Sequence, residues 1–146
     1  MLLLWLGFMR SKGFSIYRKA INSSGVSEVS KPVFVVEGNS NIKIDGIEDT
    51  TYKFSVKNYD NTGISNTNLK YFIQIVNNSQ ADLDFILTNN GKQVNLNNNK
   101  TGLISLSSLK KQSDEYELQI KYNNNPAVES NIEGNVQIKV EAIQDR

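Results

Sequence analysis

Two kinds of side-chain grouping in this 146-residue chain have the spacing of known chemistry. Ser107 and Lys110 stand as in S-x-x-K acyl enzymes, where a lysine takes the proton of an attacking serine. Asp82 with Asp84, Asp45 with Glu48 and Asp49, and Asp114 with Glu115 bring carboxylates together as hydrolases do. There one acid protonates a leaving group while the other activates water or attacks. Neither grouping comes with its usual context. A serine–lysine pair works on a buried helix in a larger α/β frame, whereas Ser107–Ser113 reads as a polar crossover. Each acid pair sits beside a turn, where acids occur without catalysis. The chain has no cysteine and no histidine, which excludes thiolate nucleophiles, imidazole bases, disulfides and the metal sites built on those ligands. The expectation is therefore a protein with no catalytic residue and no enzyme activity.

Hard oxygen ligands remain. Asp60, Asn61, Asn66 and Asn68 share one loop and can join backbone carbonyls around calcium, as can Asp45 and Asp49. Neither set matches the D-x-[DN]-x-[DN]-G loop, and Asx turns account for the same residues, so no resident cofactor is expected and calcium is only the loop's candidate ion. Tyr59, beside Asp60 and Asn61, is the aromatic on which a sugar would stack. Asn22, Asn77 and Asn99 open N-x-[ST] sequons, read here as by-products of an asparagine-rich composition. Sixteen basic against fifteen acidic residues leave a net charge of +1, and no basic stripe with stacking aromatics supports nucleic-acid binding.

Strands must position these residues, because from Pro32 onward the apolar pattern has a period of two. Val33–Glu37, apolar from Val33 to Val36, runs up to a Gly38-Asn39-Ser40-Asn41 turn, and Ile42 with Ile44 make a short strand. Tyr52, Phe54 and Val56 alternate with polar residues, and Tyr59–Asn68 reads as an irregular polar loop. Leu69, Tyr71, Ile73 and Ile75 form one face of a strand whose other face carries Phe72 and Val76, so this strand is central. Leu83, Phe85 and Leu87 run into an Asn89-Asn90-Gly91 hairpin turn, with Val94 and Leu96 beyond it. Leu103–Leu106, the series Tyr116, Leu118, Ile120, Tyr122, and the series Val136, Ile138, Val140, Ala142 complete the set. Helix amounts at most to a short turn within Leu106–Lys111. Roughly seven to nine short strands define an all-β, antiparallel two-sheet sandwich, an immunoglobulin-like Greek key with a jelly roll as the alternative. The opening Ser113-Asp114-Glu115-Tyr116 resembles a tyrosine corner, against which stands a plain core tyrosine.

Ahead of this domain (32–146) lie two further pieces. The apolar run Met1–Met9, ending at Arg10, is far short of the roughly 18 residues that span a bilayer, so no transmembrane span is expected. It has the length of an export signal's apolar region, though no basic start precedes it and no small-x-small cleavage site follows closely. Residues 1–10 are read as a remnant export segment, in preference to a short element capping the core. Residues 11–31 are read as an edge strand, with Phe14, Ile16 and Ile21, and a hinge at Asn22–Gly25.

The chain resembles the small exported surface proteins of low-GC Gram-positive bacteria related to the biofilm fibre protein TasA and to camelysin. The likeness lies in the hydrophobic leader, in Ser30-Lys31-Pro32-Val33-Phe34 opening the sandwich, and in Tyr52–Asn58 ahead of an Asn/Gly-rich loop. Leu69–Ile75 and the closing Gly134–Ala142 are similar too. The resemblance implies a secreted or cell-surface, non-enzymatic structural or adhesive subunit. It would self-associate, or bind other surface proteins, by adding its N-terminal segment to a neighbour's sheet. Phe14–Ile21, including Ile16, would be the donated strand. The alternative is a monomeric carbohydrate or cell-wall glycan module using the loop 59–68 and Tyr59.

Overall fold

The alternation read from the sequence is realised as two packed β-sheets. The computed structural model describes residues 2–3, 15–19, 21–22, 32–45, 49–123 and 133–144, and among them there is no helix. In chain order the strands are β1 (Leu2–Leu3), β2 (Ser15–Lys19), β3 (Ile21–Asn22), β4 (Val35–Glu37), β5 (Asn41–Asp45), β6 (Thr50–Lys57) and β7 (Tyr59–Asp60). There follow β8 (Gly63–Ile64), β9 (Leu69–Asn77), β10 (Leu83–Asn89), β11 (Lys92–Val94), β12 (Ile104–Leu106), β13 (Ser113–Tyr122) and β14 (Glu133–Gln144). The front sheet has the order β11-β10-β13-β6-β4, and the back sheet the order β12-β9-β14-β2, with β5 also on β14.

The long strands are the ones whose alternation is most regular. In β13, Asp114, Tyr116, Leu118 and Ile120 are buried while Glu115, Gln119 and Lys121 are exposed. In β9, Leu69, Tyr71, Ile73 and Ile75 are buried, and in β14, Val136, Ile138, Val140 and Ala142. One face of each strand thus enters a single core between the sheets, and each aliphatic side chain there contributes about 1.5–3 kcal/mol by leaving water. Register fixes which neighbours meet: Tyr116 lies opposite Phe54 on β6, and Ile138 and Val140 lie opposite Ile75 and Ile73. Phe54 and Tyr116 stack at 5.1 Å, and Tyr71 meets Tyr116 edge-on at 6.5 Å, which carries the aromatic contact from one sheet to the other.

The turns follow the asparagines. Asn90 and Gly91 both have positive φ, 50° and 85°, as a two-residue hairpin between β10 and β11 requires. Asn98 and Asn99 repeat this at φ 53° and 62°, closed by paired backbone bonds between Asn97 and Lys100. Asparagine is tolerated in this left-handed region, so the Asn97–Asn99 run makes a tight reversal.

Three features differ from the sequence expectation. Tyr59–Asn68 begins as a small hairpin of β7 and β8, because Asp60 and Gly63 pair across a two-residue turn. The Phe14–Ile21 strand is shorter: β2 ends at Lys19, Ile21 belongs to β3 and pairs with Leu3, and Phe14 lies outside the described residues. The pairing of β2 with β14 is parallel, unlike every other strand pair among the described residues.

The outer edge of β14 is therefore shared. β5 pairs antiparallel with Glu133–Gln137, β2 pairs parallel with Lys139–Ile143, and between them the Ile138 amide donates to the Ser40 carbonyl at 2.9 Å. Near the start of β14, Gly134 has φ 142° and faces the turn after β9. A Cβ at Gly134 would lie 2.5 Å from the Ser79 Cα, which is backbone and cannot swing aside. Gly134→Ala should therefore cost about 3 kcal/mol or more. A lowered urea midpoint with an unchanged slope is the expected reading, and an unchanged midpoint would contradict this packing.

Candidate functional site

Loops 58–68 and 107–112 meet at one end of the sandwich, where β6 and β12 finish and β9 and β13 begin. What positions them is Asn58, whose side chain is fully buried. Its Nδ2 donates to the carbonyls of Ser107 (2.7 Å) and Lys110 (3.0 Å), and its Oδ1 accepts from the Gln112 amide at 2.7 Å. Its backbone amide donates to the Gln112 carbonyl, and its carbonyl accepts from the Ser65 amide. One amide side chain thus satisfies three backbone groups of a crossover that has no ladder partner of its own. The Asn68 Oδ1 adds a fourth tie by accepting from the Ser108 amide at 2.8 Å.

Beneath this end lies a buried polar cluster. The Tyr71 hydroxyl donates to Asp114 Oδ2 at 2.5 Å, and the Tyr116 hydroxyl lies 2.6 Å from that of Tyr71. Since Tyr71 gives its proton to the carboxylate, Tyr116 donates to Tyr71. Gln112 Nε2 donates to the other carboxylate oxygen at 3.1 Å. Burial drives the phenols of Tyr71 and Tyr116 well above the ordinary tyrosine range, with the nearby Asp114 charge adding to it. Tyr52, half-buried at the other end of β6, is pushed up to about 12 by burial alone. The hydroxyl of Tyr116 goes to the opposite sheet and not to a loop backbone, so the residue is a core tyrosine.

The loop residues singled out by the sequence mostly serve the loop itself. Asp60 Oδ1 accepts from both the amide (2.7 Å) and the hydroxyl (2.5 Å) of Thr62, an Asx turn. Asn61 and Asn66 are exposed, and Asn68 is engaged with Ser108. Among the described residues no three acidic groups converge as metal ligands. Tyr59 is partly buried, and the ammonium groups of Lys57 and Lys111 lie 5.6 and 5.2 Å from its ring centre. Lys57 is also paired with Glu37, and that hydrogen bond raises its affinity for its proton against the opposing effect of burial.

Among the described residues the catalytic spacings do not assemble into sites. Ser107 Oγ accepts from the Leu109 amide at 3.1 Å, while Lys110 is exposed. Asp82 and Asp84 are exposed, and Asp49 Oδ1 accepts from the Tyr122 amide. Asp114 is buried in the tyrosine cluster, whereas Glu115 on the opposite face is engaged by Ser113. Asp45 is placed only as a backbone partner of Glu133, and Glu48 lies outside the described residues. Of the sequons, Asn77 spends its side chain on the turn after β9: Oδ1 accepts from the Ser79 amide and hydroxyl, and Nδ2 donates to the Ala81 carbonyl.

An open groove of about 600 Å³ crosses the outer face of the front sheet between Glu37, Lys53, Ser55, Thr88, Glu115 and Glu117. Its aromatic neighbours Phe54 and Tyr116 are buried, so it offers no ring to a ligand. Sequence reasoning placed Tyr71 on a strand's core face and Asp114 in a carboxylate pair but missed the bond between them, and it missed Asn58 and the two lysines on Tyr59, because alternation identifies a face and not a partner across it. Of the residues expected to take part in strand addition, Ile16 is placed on β14's edge opposite Val140.

No protein-family model, no curated protein and no solved structure matches the chain.

Two measurements check this cluster. Tyr71→Phe removes the hydroxyl linking Asp114 to Tyr116, so about 1.5–3 kcal/mol of stability should be lost. Tyr116→Phe should cost less, since the Tyr71–Asp114 bond survives. Raised phenol pKa values stabilise the fold fully below the unfolded tyrosine value near 10, and that contribution is lost as pH rises through the folded values. Stability should therefore fall above about pH 10, with Tyr71 and Tyr116 ionising only on unfolding and the half-buried Tyr52 titrating near 12. A smooth ultraviolet titration of all six tyrosines in the native state would contradict their burial.

Proposed function

We propose that this protein is a non-enzymatic structural subunit, secreted or held at the cell surface, that self-associates by exchanging β2 between copies. The observation that carries this reading is the place of β2. Five residues from the N-terminal segment lie on the outer edge of β14, in parallel register, beyond a sandwich that is otherwise antiparallel. A short strand added at an edge, with residues 20–34 between it and β4, can leave that edge and pair with the same edge of another copy. The resemblance of its strand pattern to the TasA and camelysin group supports the same reading. So does the strand order β4-β6-β13-β10 against β9-β14, which we read as immunoglobulin-like. Under this reading the slot on β14 is filled within the chain in the monomer and between chains in the assembly.

The absence of cysteine supplies a clean test. Ser15 and Lys139 are register partners, and adjacent strands fall within disulfide reach. In the double variant Ser15→Cys with Lys139→Cys, oxidation of dilute protein should give an intramolecular bond. Oxidation after incubation at high concentration should give a ladder of covalent oligomers on non-reducing gels. An intramolecular product at every concentration would overturn strand exchange, and absence of any crosslink would overturn the β2 register itself.

A further inference from the structure

We propose that the free half of the β6 edge pairs with the same edge of a second copy, antiparallel, about a two-fold axis through Thr51. The inference is independent of strand exchange, which concerns β14 in the other sheet. On one side β6 is in register with β13 along its whole length, from Thr50 to Lys57. On the other side β4 reaches only Ser55, Val56 and Lys57, because the chain leaves the strand at Gly38. It then crosses to the back sheet, where the Asn39 amide donates to the Tyr52 hydroxyl and the Ser40 carbonyl accepts from the Ile138 amide. Among the described residues no strand pairs with the outer edge of β6 from Thr50 to Lys53.

The alternation of the main chain picks out the groups left over. Successive residues of a strand aim their amide and carbonyl at opposite neighbours. The Asn58 amide donates to the Gln112 carbonyl on the β13 side, so the even-numbered residues of β6 serve β13 and the odd-numbered ones face the outer edge. Ser55 and Lys57 spend those outward groups on β4. Thr51 and Lys53, both exposed, aim theirs at water. An edge open in this way is a template for another strand.

The residues of the edge select the occupant. Asp49, Thr51 and Lys53 are two apart, so their side chains share the outer face of the sheet, and all three are exposed. Laid antiparallel on a second copy with Thr51 opposite Thr51, the segment sets Lys53 opposite Asp49 of that copy, and Asp49 opposite its Lys53. A slip of two residues in either direction leaves neither charge facing its complement, and a slip of four sets like charges together. Both groups are available: Lys53 reaches Glu117 only at 3.9 Å with its side chain 80% exposed, and Asp49 uses a single carboxylate oxygen on the Tyr122 amide. A lysine on an edge ordinarily repels a second strand, whereas here it chooses one that carries an acid four residues earlier. The paired stretch ends where β4 begins, so the β4 strands flank the contact and do not compete with it. A two-fold contact uses the same patch on both copies and closes at the dimer.

The chain has no cysteine, so Thr51→Cys puts its only thiol on the axis, where bonded partners of an antiparallel pair lie about 5.5 Å apart and within disulfide reach. Mild oxidation of the full chain should give a covalent dimer about tenfold or more faster than in Asp84→Cys, an exposed position inside the same sheet. Adding Lys53→Asp to Thr51→Cys sets acid against acid and should slow the crosslink to the control rate. Adding Asp49→Lys as well makes the charges complementary again and should restore the fast rate. Raised salt should slow the Thr51→Cys reaction and leave the control unchanged. The substituted side chains are exposed, so a cooperative melt close to the native one is expected throughout. Crosslinking of Thr51→Cys no faster than the control, a fast rate that Lys53→Asp leaves untouched, or no recovery in the folded triple variant would each overturn the proposal.

Discussion

A carboxylate buried between two apolar sheets has to be hydrogen-bonded on the spot, and at Asp114 that requirement governs how the sandwich closes. Asp114 belongs to β13 in the front sheet, and its nearest donor, the Tyr71 hydroxyl, belongs to β9 in the back sheet. Apolar packing alone tolerates small slips of one sheet over the other, because one methyl group replaces another at little cost. The Tyr71–Asp114 bond does not, since sliding one sheet by a residue would part the hydroxyl from the carboxylate and leave the charge unpaired. Tyr116 and Gln112 complete the cluster, so no group within it depends on water.

From this cluster the organisation of the loop end follows. Gln112 ties Asp114 to the crossover, and Asn58 ties the crossover to the end of β6. The two buried polar side chains thus act in series, one fixing sheet to sheet and the other fixing loop to sheet. Leu109 is exposed because this scaffold holds its turn away from the core. Lys111 rests over Tyr59 for the same reason: the loop is positioned before the lysine side chain finds its partner.

The parts of the fold that were legible are those set by single-chain periodicity. In β6, β9, β13 and β14 the alternation names the buried face residue by residue, because one face meets the core and the other meets water. The Asn90-Gly91 turn was legible from its left-handed backbone demand. Partnership across sheets was not. Nothing in Tyr71 marks it as the donor to a residue forty-three positions away, and Asn58 sits in a run of polar residues with no signal that it is buried. The Asx-turn reading anticipated that Asp60 closes a turn of its own loop, but not that Asn68 reaches across to the Ser108 amide in loop 107–112. An asparagine-rich chain offers many oxygens, and local backbone donors compete for them at higher effective concentration than any ligand.

The edge of β14 shows how a long strand with only one sheet neighbour can still be covered. Its outer amides and carbonyls span Glu133–Ile143, longer than either β5 or β2, and an unpaired stretch of that length would template aggregation. Two segments divide it, and they are held very differently. β5 follows β4 after three residues, so its pairing is local and its departure would pull β4 with it. β2 has fifteen residues between it and β4, so the loop-closure cost of keeping it in place is larger and its pairing is the weaker of the two. Lys139–Ile143 is therefore the half of the edge that opens first. Its opening leaves Asp114, Tyr71 and the core between the sheets untouched, and it exposes a pairing surface with the register of β2 already built in.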